Sequence, residues 1–223
     1  MMLEILFEDE WLLVVDKPAG LVVHPAYKNA SGTLLDIVRE RDPSVVFSIV
    51  GRLDKLTSGV VVLAKSATAH SALQRGWRTA EKDYLAVVRG RVDAAGVIDL
   101  PLGPDPVDRR RRVVRPDGAS SVTTFERIDY DASLDRSLLR CRLVTGRRHQ
   151  IRVHLAARGW PVVGDAVYGE AHRDLDRHAL HAWRVALVHP ATGERVRMES
   201  PVPPNLGVRV TNGVPGLTAI LHL

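Results

Sequence analysis

Asp54 is the sole carboxylate in the run Gly51-Arg52-Leu53-Asp54-Lys55-Leu56-Thr57-Ser58-Gly59, set between two cations in a loop closed by Thr, Ser and Gly. An apolar, strand-like run over residues 60–64 follows it. Carboxylates with a purely structural part usually cap helices or dot solvated faces. An acid flanked by cations, bounded by glycines and placed just before a buried strand has the setting of an active-site group, with a plain turn aspartate as the competing reading. Tyr84 sits in an alternating stretch, where a tyrosine is ordinarily a core or edge residue. His149, His154, His178 and His181 invite a metal reading, but His149 and His154 are five apart and share no helix face well. No His-Glu-x-x-His pattern accompanies them, so no metal is expected. The glycines form neither a dinucleotide fingerprint nor a phosphate loop, so no nucleotide cofactor is expected either.

Four ordered segments carry a family resemblance. Arg52-Leu53-Asp54 with Thr57-Ser58-Gly59 resembles the signature of the RluA-type RNA pseudouridine synthases. Asp16-Lys17-Pro18-Ala19-Gly20-Leu21-Val22-Val23-His24-Pro25 is similar to that family's N-terminal motif. Glu81-Lys82-Asp83-Tyr84-Leu85-Ala86-Val87-Val88 resembles the segment bearing its active-site tyrosine. Thr145-Gly146-Arg147-Arg148-His149-Gln150-Ile151-Arg152-Val153-His154 resembles the segment bearing its basic partner. The likeness runs over roughly residues 8–204. One position departs: the RluA branch usually has His where this chain has Gly51, a glycine typical of the related RsuA branch. That change touches the neighbouring RNA contact and leaves the role of Asp54 intact.

The resemblance implies an RNA-modifying isomerase without metal or cofactor. Breaking the N1–C1′ bond of uridine and rejoining the base through C5 needs no redox change and no energy source. Asp54 is then the catalytic carboxylate, acting as nucleophile or as base toward the ribose. A carboxylate in a water-poor cleft tends to protonate unless a cation offsets the desolvation, and the resemblance makes Arg152 that partner. Tyr84 becomes the ring that stacks on uracil and helps remove the C5 proton, and Leu180 the apolar residue facing the base from the other side. Arg52, Arg147, Arg148, His149 and Gln150 are taken as substrate-binding, with Arg52 filling the vacated stack or holding phosphate. Flipping a base costs a few kcal/mol, which such interactions must offset. Two other readings compete: a non-catalytic RNA-binding protein on the same scaffold, and a metal-dependent hydrolase built on the histidines.

Composition fits an RNA partner. Cations number 31 against 26 acids, a formal charge of +5, and all but five of the cations are arginine, whose planar fork suits phosphate and base recognition. Biased genome composition competes as an explanation for that excess. Five arginines and no acid lie between Arg140 and Arg152, and a second cluster joins Arg109-Arg110-Arg111-Arg112 with Arg115. Both read as phosphate footprints on structured RNA, ribosomal or transfer, against a solvated charged loop for the second. Cys141, the only cysteine, falls on the apolar side of an alternation and suits a buried strand thiol. No basic leader precedes a hydrophobic stretch and no apolar run nears the ~20 residues that span a bilayer, so a cytoplasmic protein that is a monomer by default is expected.

These groups need elements to hold them. Residues 11–15 read as a short strand entering a Lys-Pro-Ala-Gly turn. Ser31 or Thr33 caps a helix with Leu34, Leu35, Ile37 and Val38 on one face, and Ser66 caps another bearing Ala69, Leu73 and Trp77. Strands are expected over 83–88 with a candidate continuing over 85–92, and over 121–128, 137–144 and 181–189, with a long loop from 101 to 118. Thr145 is expected to cap a helix running to about Arg158 and stopped by Gly159, which would put Arg148 and Arg152 on one face. Strands without regular β-α-β alternation give an α+β class. The resemblance refines it to the pseudouridine synthase fold, a bent, mainly antiparallel mixed sheet with flanking helices and a central RNA-binding cleft. At 223 residues this is one catalytic domain, with a core of about 8–204, a tail over 205–223 and no N-terminal S4 module.

Overall fold

A computed structural model describes residues 2–25, 31–173 and 175–206. The tail from 207 onward lies outside them. Among the described residues twelve strands and three α-helices follow in order: β1 (Glu4–Glu8), β2 (Leu12–Lys17), α1 (Leu34–Arg41), β3 (Ser48–Ile49), β4 (Ser58–Ala64), α2 (Ala67–Gly76), β5 (Glu81–Arg89), β6 (Ala95–Asp99), β7 (Leu102–Pro104), β8 (Arg112–Val114), β9 (Val122–Asp131), β10 (Arg136–Leu143), α3 (Gln150–Ala157), β11 (Leu180–Val188) and β12 (Arg195–Glu199). The chain divides into two compact units, Met1–Lys82 with Ala182–Pro201 and Asp83–His181 with Val202–Leu223. No described helix is long and apolar enough to cross a membrane.

In the first unit the strand order is β1-β2-β4-β11, with β12 on β11 and β3 on β4. Strands β2 and β4 carry continuous apolar runs, over 12–15 and 60–64, because both faces are covered. Leu12, Val14, Val60 and Val62 pack on one side with Ala69 and Leu73 of α2. Leu13, Val15, Val61 and Leu63 pack on the other with Leu34, Leu35 and Val38 of α1. Each of these Val and Leu side chains contributes about 1.5–3 kcal/mol by leaving water. The expected caps are present. Thr33 and Asp36 form a reciprocal capping box on α1, and the Ser66 hydroxyl accepts from the Ala69 amide at 3.1 Å on α2.

In the second unit the order is β5-β10-β9-β6, with antiparallel pairing of β5 to β10, β10 to β9 and β9 to β6. Two expectations are corrected here. The stretch 101–118 is not a bare loop: β7 and β8 pair as a hairpin, Leu102 opposite Val114. Leu102 is buried and anchors it, while Arg109 and Arg110 at its far end remain exposed. Helix α3 also begins later than expected. His149, not Thr145, is its N-cap, in left-handed backbone at φ 58° and without a side-chain cap. Thr145 serves elsewhere, accepting from the Val122 amide and donating to Gln150 Oε1. Arg148 therefore precedes the helix and shares no helical face with Arg152. Gly159 stops the helix as expected, at φ +80°.

Candidate active site

Within the first unit, the Asp54 loop is held by a buried cation. Lys17, fully buried at the end of β2, donates from Nζ to the carbonyls of Pro18 (2.8 Å), Leu21 (2.9 Å) and Lys55 (3.1 Å). The Lys55 carbonyl also accepts from the Gly20 amide at 2.9 Å. One ammonium thus ties the turn after β2 to the residue next to Asp54, and its carbonyl ligands offset the cost of burying the charge. The Thr57 amide closes the loop on the Asp54 carbonyl at 3.1 Å. Leu53 packs into the α1-side core, Arg52 is exposed, and Asp54 is half-buried. Gly59 is required: its φ is +113°, and a Cβ there would lie 2.1 Å from the Ala182 carbonyl oxygen. At Gly51 the neighbour is a side chain: a Cβ would fall 2.3 Å from the indole of Trp77, which would have to move.

The second unit carries Tyr84, Arg152, Leu180 and the segment 147–150. Tyr84 is half-buried on β5, opposite Cys141 on β10. Its neighbour Asp83 points to the other face and binds Arg142 bidentately, at 2.7 and 2.9 Å. Cys141 is buried as expected, and desolvation pushes its thiol up to about 12. Arg152 is buried on α3 and bound edge-on by Asp165, Nε to Oδ2 at 2.7 Å and Nη2 to Oδ1 at 2.8 Å. Burial pushes the Asp165 carboxyl up, but the Arg152 hydrogen bonds and charge, with the Val167 amide and His178, leave it below its ordinary value. The Tyr168 ring lies 5.0 Å from the same guanidinium. The Tyr168 hydroxyl meets His149 Nδ1 at 2.7 Å and accepts from the Arg112 amide at 2.8 Å. Leu180 is buried, and its carbonyl accepts from Nη2 of the buried Arg177 at 2.8 Å.

The remaining expected substrate-binding residues separate by surroundings. Arg147 and Arg148 are exposed. Gln150 is buried, and its amide is committed to the protein: Nε2 donates to the Val122 carbonyl and the Thr123 hydroxyl, while Oε1 accepts from Thr145 and the Arg147 amide. Its surroundings make it a brace for the loop before α3. His154 is also structural, between the Thr123 hydroxyl and the Leu100 carbonyl, with burial holding its pKa down. The arginine-rich stretch 140–152 is largely neutralised. Arg140 pairs with Glu126, Arg142 with Asp83, and Arg152 with Asp165. Acids distant in sequence supply the charge that the local run lacks. In the hairpin, likewise, Arg110 pairs with Asp108 and Arg115 with Asp117. Among the described residues no cluster of His, Cys, Asp or Glu is arranged to hold a metal.

In the sequence Lys17 is one letter of the N-terminal motif, and no motif includes Asp165. The signal for Asp165 was weak: a lone acid in the loop beyond a helix. The family model for RNA pseudouridylate synthase matches residues 11–157. The chain belongs to that family, in its RluA-type branch. It is 43% identical over 220 residues to the ribosomal large subunit pseudouridine synthase D of Nitrosomonas europaea, covering 92% of this chain and 63% of that protein. It is 39% identical over 211 residues to an uncharacterized RNA pseudouridine synthase, YhcT, of Bacillus subtilis, with 92% and 70% covered. The chain therefore spans about two thirds of the length of these relatives. Among solved structures, human RNA pseudouridylate synthase domain containing 1 superposes with a TM-score of 0.77 at 27% identity, over 97% of this chain and 86% of that one. The fold is the α+β pseudouridine synthase fold.

Proposed function

We propose that this chain converts uridine to pseudouridine in structured RNA, with ribosomal RNA as the first substrate to test and transfer RNA as the second. The observation that carries the reading is the family match across the segments that hold Asp54, Tyr84 and Arg152, joined to a relative at 43% identity named for the large ribosomal subunit. In the reaction the N1–C1′ bond breaks, a C5–C1′ bond forms, the C5 proton leaves and N1 gains one, so product and substrate are isomers.

Asp54 starts the chemistry, as nucleophile at the sugar or as base toward it. Its loop suits the task because the Lys17 clamp and Leu53 fix the backbone while Asp54 itself remains partly open. Arg152 is the cation proposed to keep Asp54 charged, and Asp165 fixes one edge of that guanidinium. Tyr84 stacks on the uracil, Leu180 faces it, and Arg52, Arg147, Arg148 and His149 hold the surrounding nucleotides. One catalytic domain working as a monomer in the cytoplasm, without metal or cofactor, completes the proposal.

The test is release of tritium from ribosomal RNA labelled at C5 of uridine. The wild-type chain should release it, and Asp54→Asn should not while still binding RNA. Full turnover by Asp54→Asn would remove the assignment of Asp54, and absence of release by wild type from both ribosomal and transfer RNA would remove the enzymatic reading. Tyr84→Phe tests the hydroxyl, since it keeps the stacking ring and loses only proton chemistry.

A further inference from the structure

The arginine clusters that stand out in the sequence are mostly spent on internal ion pairs. Besides Arg109, Arg147 and Arg148 of those clusters, exposed cations without an ion pair also lie at the C-terminal end of α2 and in the Asp54 loop. Arg52, Lys55, Arg75 and Arg78 are all exposed, and none forms an ion pair among the described residues. From position 55 to position 80 the sequence contains no Asp or Glu at all. This end of the helix is fixed to the strand leading into the Asp54 loop. Gln74 Nε2 donates to the Val50 carbonyl at 3.1 Å, and His70 Nε2 lies 3.3 Å from the Ile49 carbonyl.

Trp77 lies between Arg75 and Arg78 in the chain, partly exposed, its indole in the space that a side chain at position 51, next to Arg52, would take. Its backbone is fixed from both sides: the amide donates to the Gln74 carbonyl, and the carbonyl accepts from Lys82 Nζ at 2.7 Å. The Lys82 ammonium also lies 5.4 Å from the indole centroid. A rigid aromatic ring surrounded by unneutralised cations is the arrangement that holds a single strand, the ring taking a base and the cations the phosphates.

We propose that Trp77, with Arg75, Arg78 and Arg52, forms a docking platform for a single-stranded stretch of the RNA beside the reacting nucleotide. On this view Gly51 is part of the substrate-recognition device, because its missing side chain is what lets the indole lie against the Asp54 loop. The proposal rests on the RNA-acting reading above, but its test is separate from turnover.

Binding of a fluorescein-labelled RNA stem–loop with an unpaired uridine-rich loop is followed by anisotropy as salt is raised. For Arg75→Ala/Arg78→Ala the dependence of log affinity on log salt should flatten by about 0.7 for each phosphate that is no longer neutralised. Arg110→Ala/Arg115→Ala, whose guanidiniums already face Asp108 and Asp117, should change it much less. Trp77→Leu fills much of the same core volume without a ring and should weaken binding roughly five- to a hundredfold, the penalty expected for one stacked base. Trp77→Phe should recover part of that affinity, and Gly51→Ala, which displaces the indole, should resemble Trp77→Leu. Thermal melting verifies that each variant is folded. An unchanged salt slope for the α2 pair, or unchanged affinity for a folded Trp77→Leu, overturns the platform. A wild type that binds with these slopes yet releases no tritium would count against the enzymatic reading alone.

Discussion

Replacing Asp165 by Asn keeps the shape of the side chain and removes the charge that faces Arg152. In the native protein both partners are buried, with side-chain exposures of 6% for Arg152 and 1% for Asp165, and they share two hydrogen bonds of 2.7 and 2.8 Å. Asparagine can accept one of those bonds but leaves the guanidinium without a counter-charge on that edge. Stranding one member of a buried pair costs about 3–5 kcal/mol. For a chain of this size each kcal/mol moves the melting temperature by about 2–4 °C, so Asp165→Asn should melt roughly 6–20 °C lower. A double-mutant cycle isolates the pair. With Arg152→Met as the other single variant, Arg152→Met/Asp165→Asn should lose clearly less stability than the sum of the two single penalties, and should be inactive.

Acid unfolding supplies the second arm of the same experiment. Because Asp165 is held below its ordinary value, its contribution is fully present above the unfolded value of about 3.9 and is lost as pH falls through the lower folded value. Wild type should therefore lose stability more steeply than Asp165→Asn below about pH 4. Calorimetry at neutral and acid pH reads both arms. A drop of less than about 2 °C, under 1 kcal/mol for this chain length, together with single penalties that simply add, would refute the claim that this ion pair orients Arg152.

Two further outcomes follow from the packing. Lys17→Met should fit the buried channel but leave the Pro18 and Leu21 carbonyls without their donor, at about 1–3 kcal/mol each, offset in part by no longer burying an ammonium. Amide exchange at Thr57, whose N–H closes the Asp54 loop, should speed up more than exchange in β4, and equal exchange in variant and wild type would count against the clamp. Cys141, with its thiol pushed up to about 12 by burial, should resist iodoacetamide at pH 8 in the folded protein and react promptly in denaturant. Rapid labelling of the native chain would contradict its burial.

Much of this protein is determined locally. Apolar periodicity and hydroxyl caps specify α1, α2, β2 and β4, because a Thr or Ser hydroxyl answers amides three residues away and an alternating or continuous apolar run answers one or two covered faces. The Asp54 loop was legible for the same reason: its charge pattern, its glycines and the strand after it are neighbours in the chain. Boundaries set by distant partners were not. Helix α3 starts at Gln150 because the Gln150 amide is drawn to Val122 and Thr123 on β9, and the stretch 101–118 folds into a hairpin because Leu102 finds buried space. Charge was the least local property of all. Of the five arginines crowded from 140 to 152, three are neutralised by Glu126, Asp83 and Asp165, while Arg147 and Arg148, like the sparser cations near α2, are left open. A sequence sets how many charges a chain carries, but Coulomb energy depends on distances in space, and only tertiary structure decides which cations remain available to RNA.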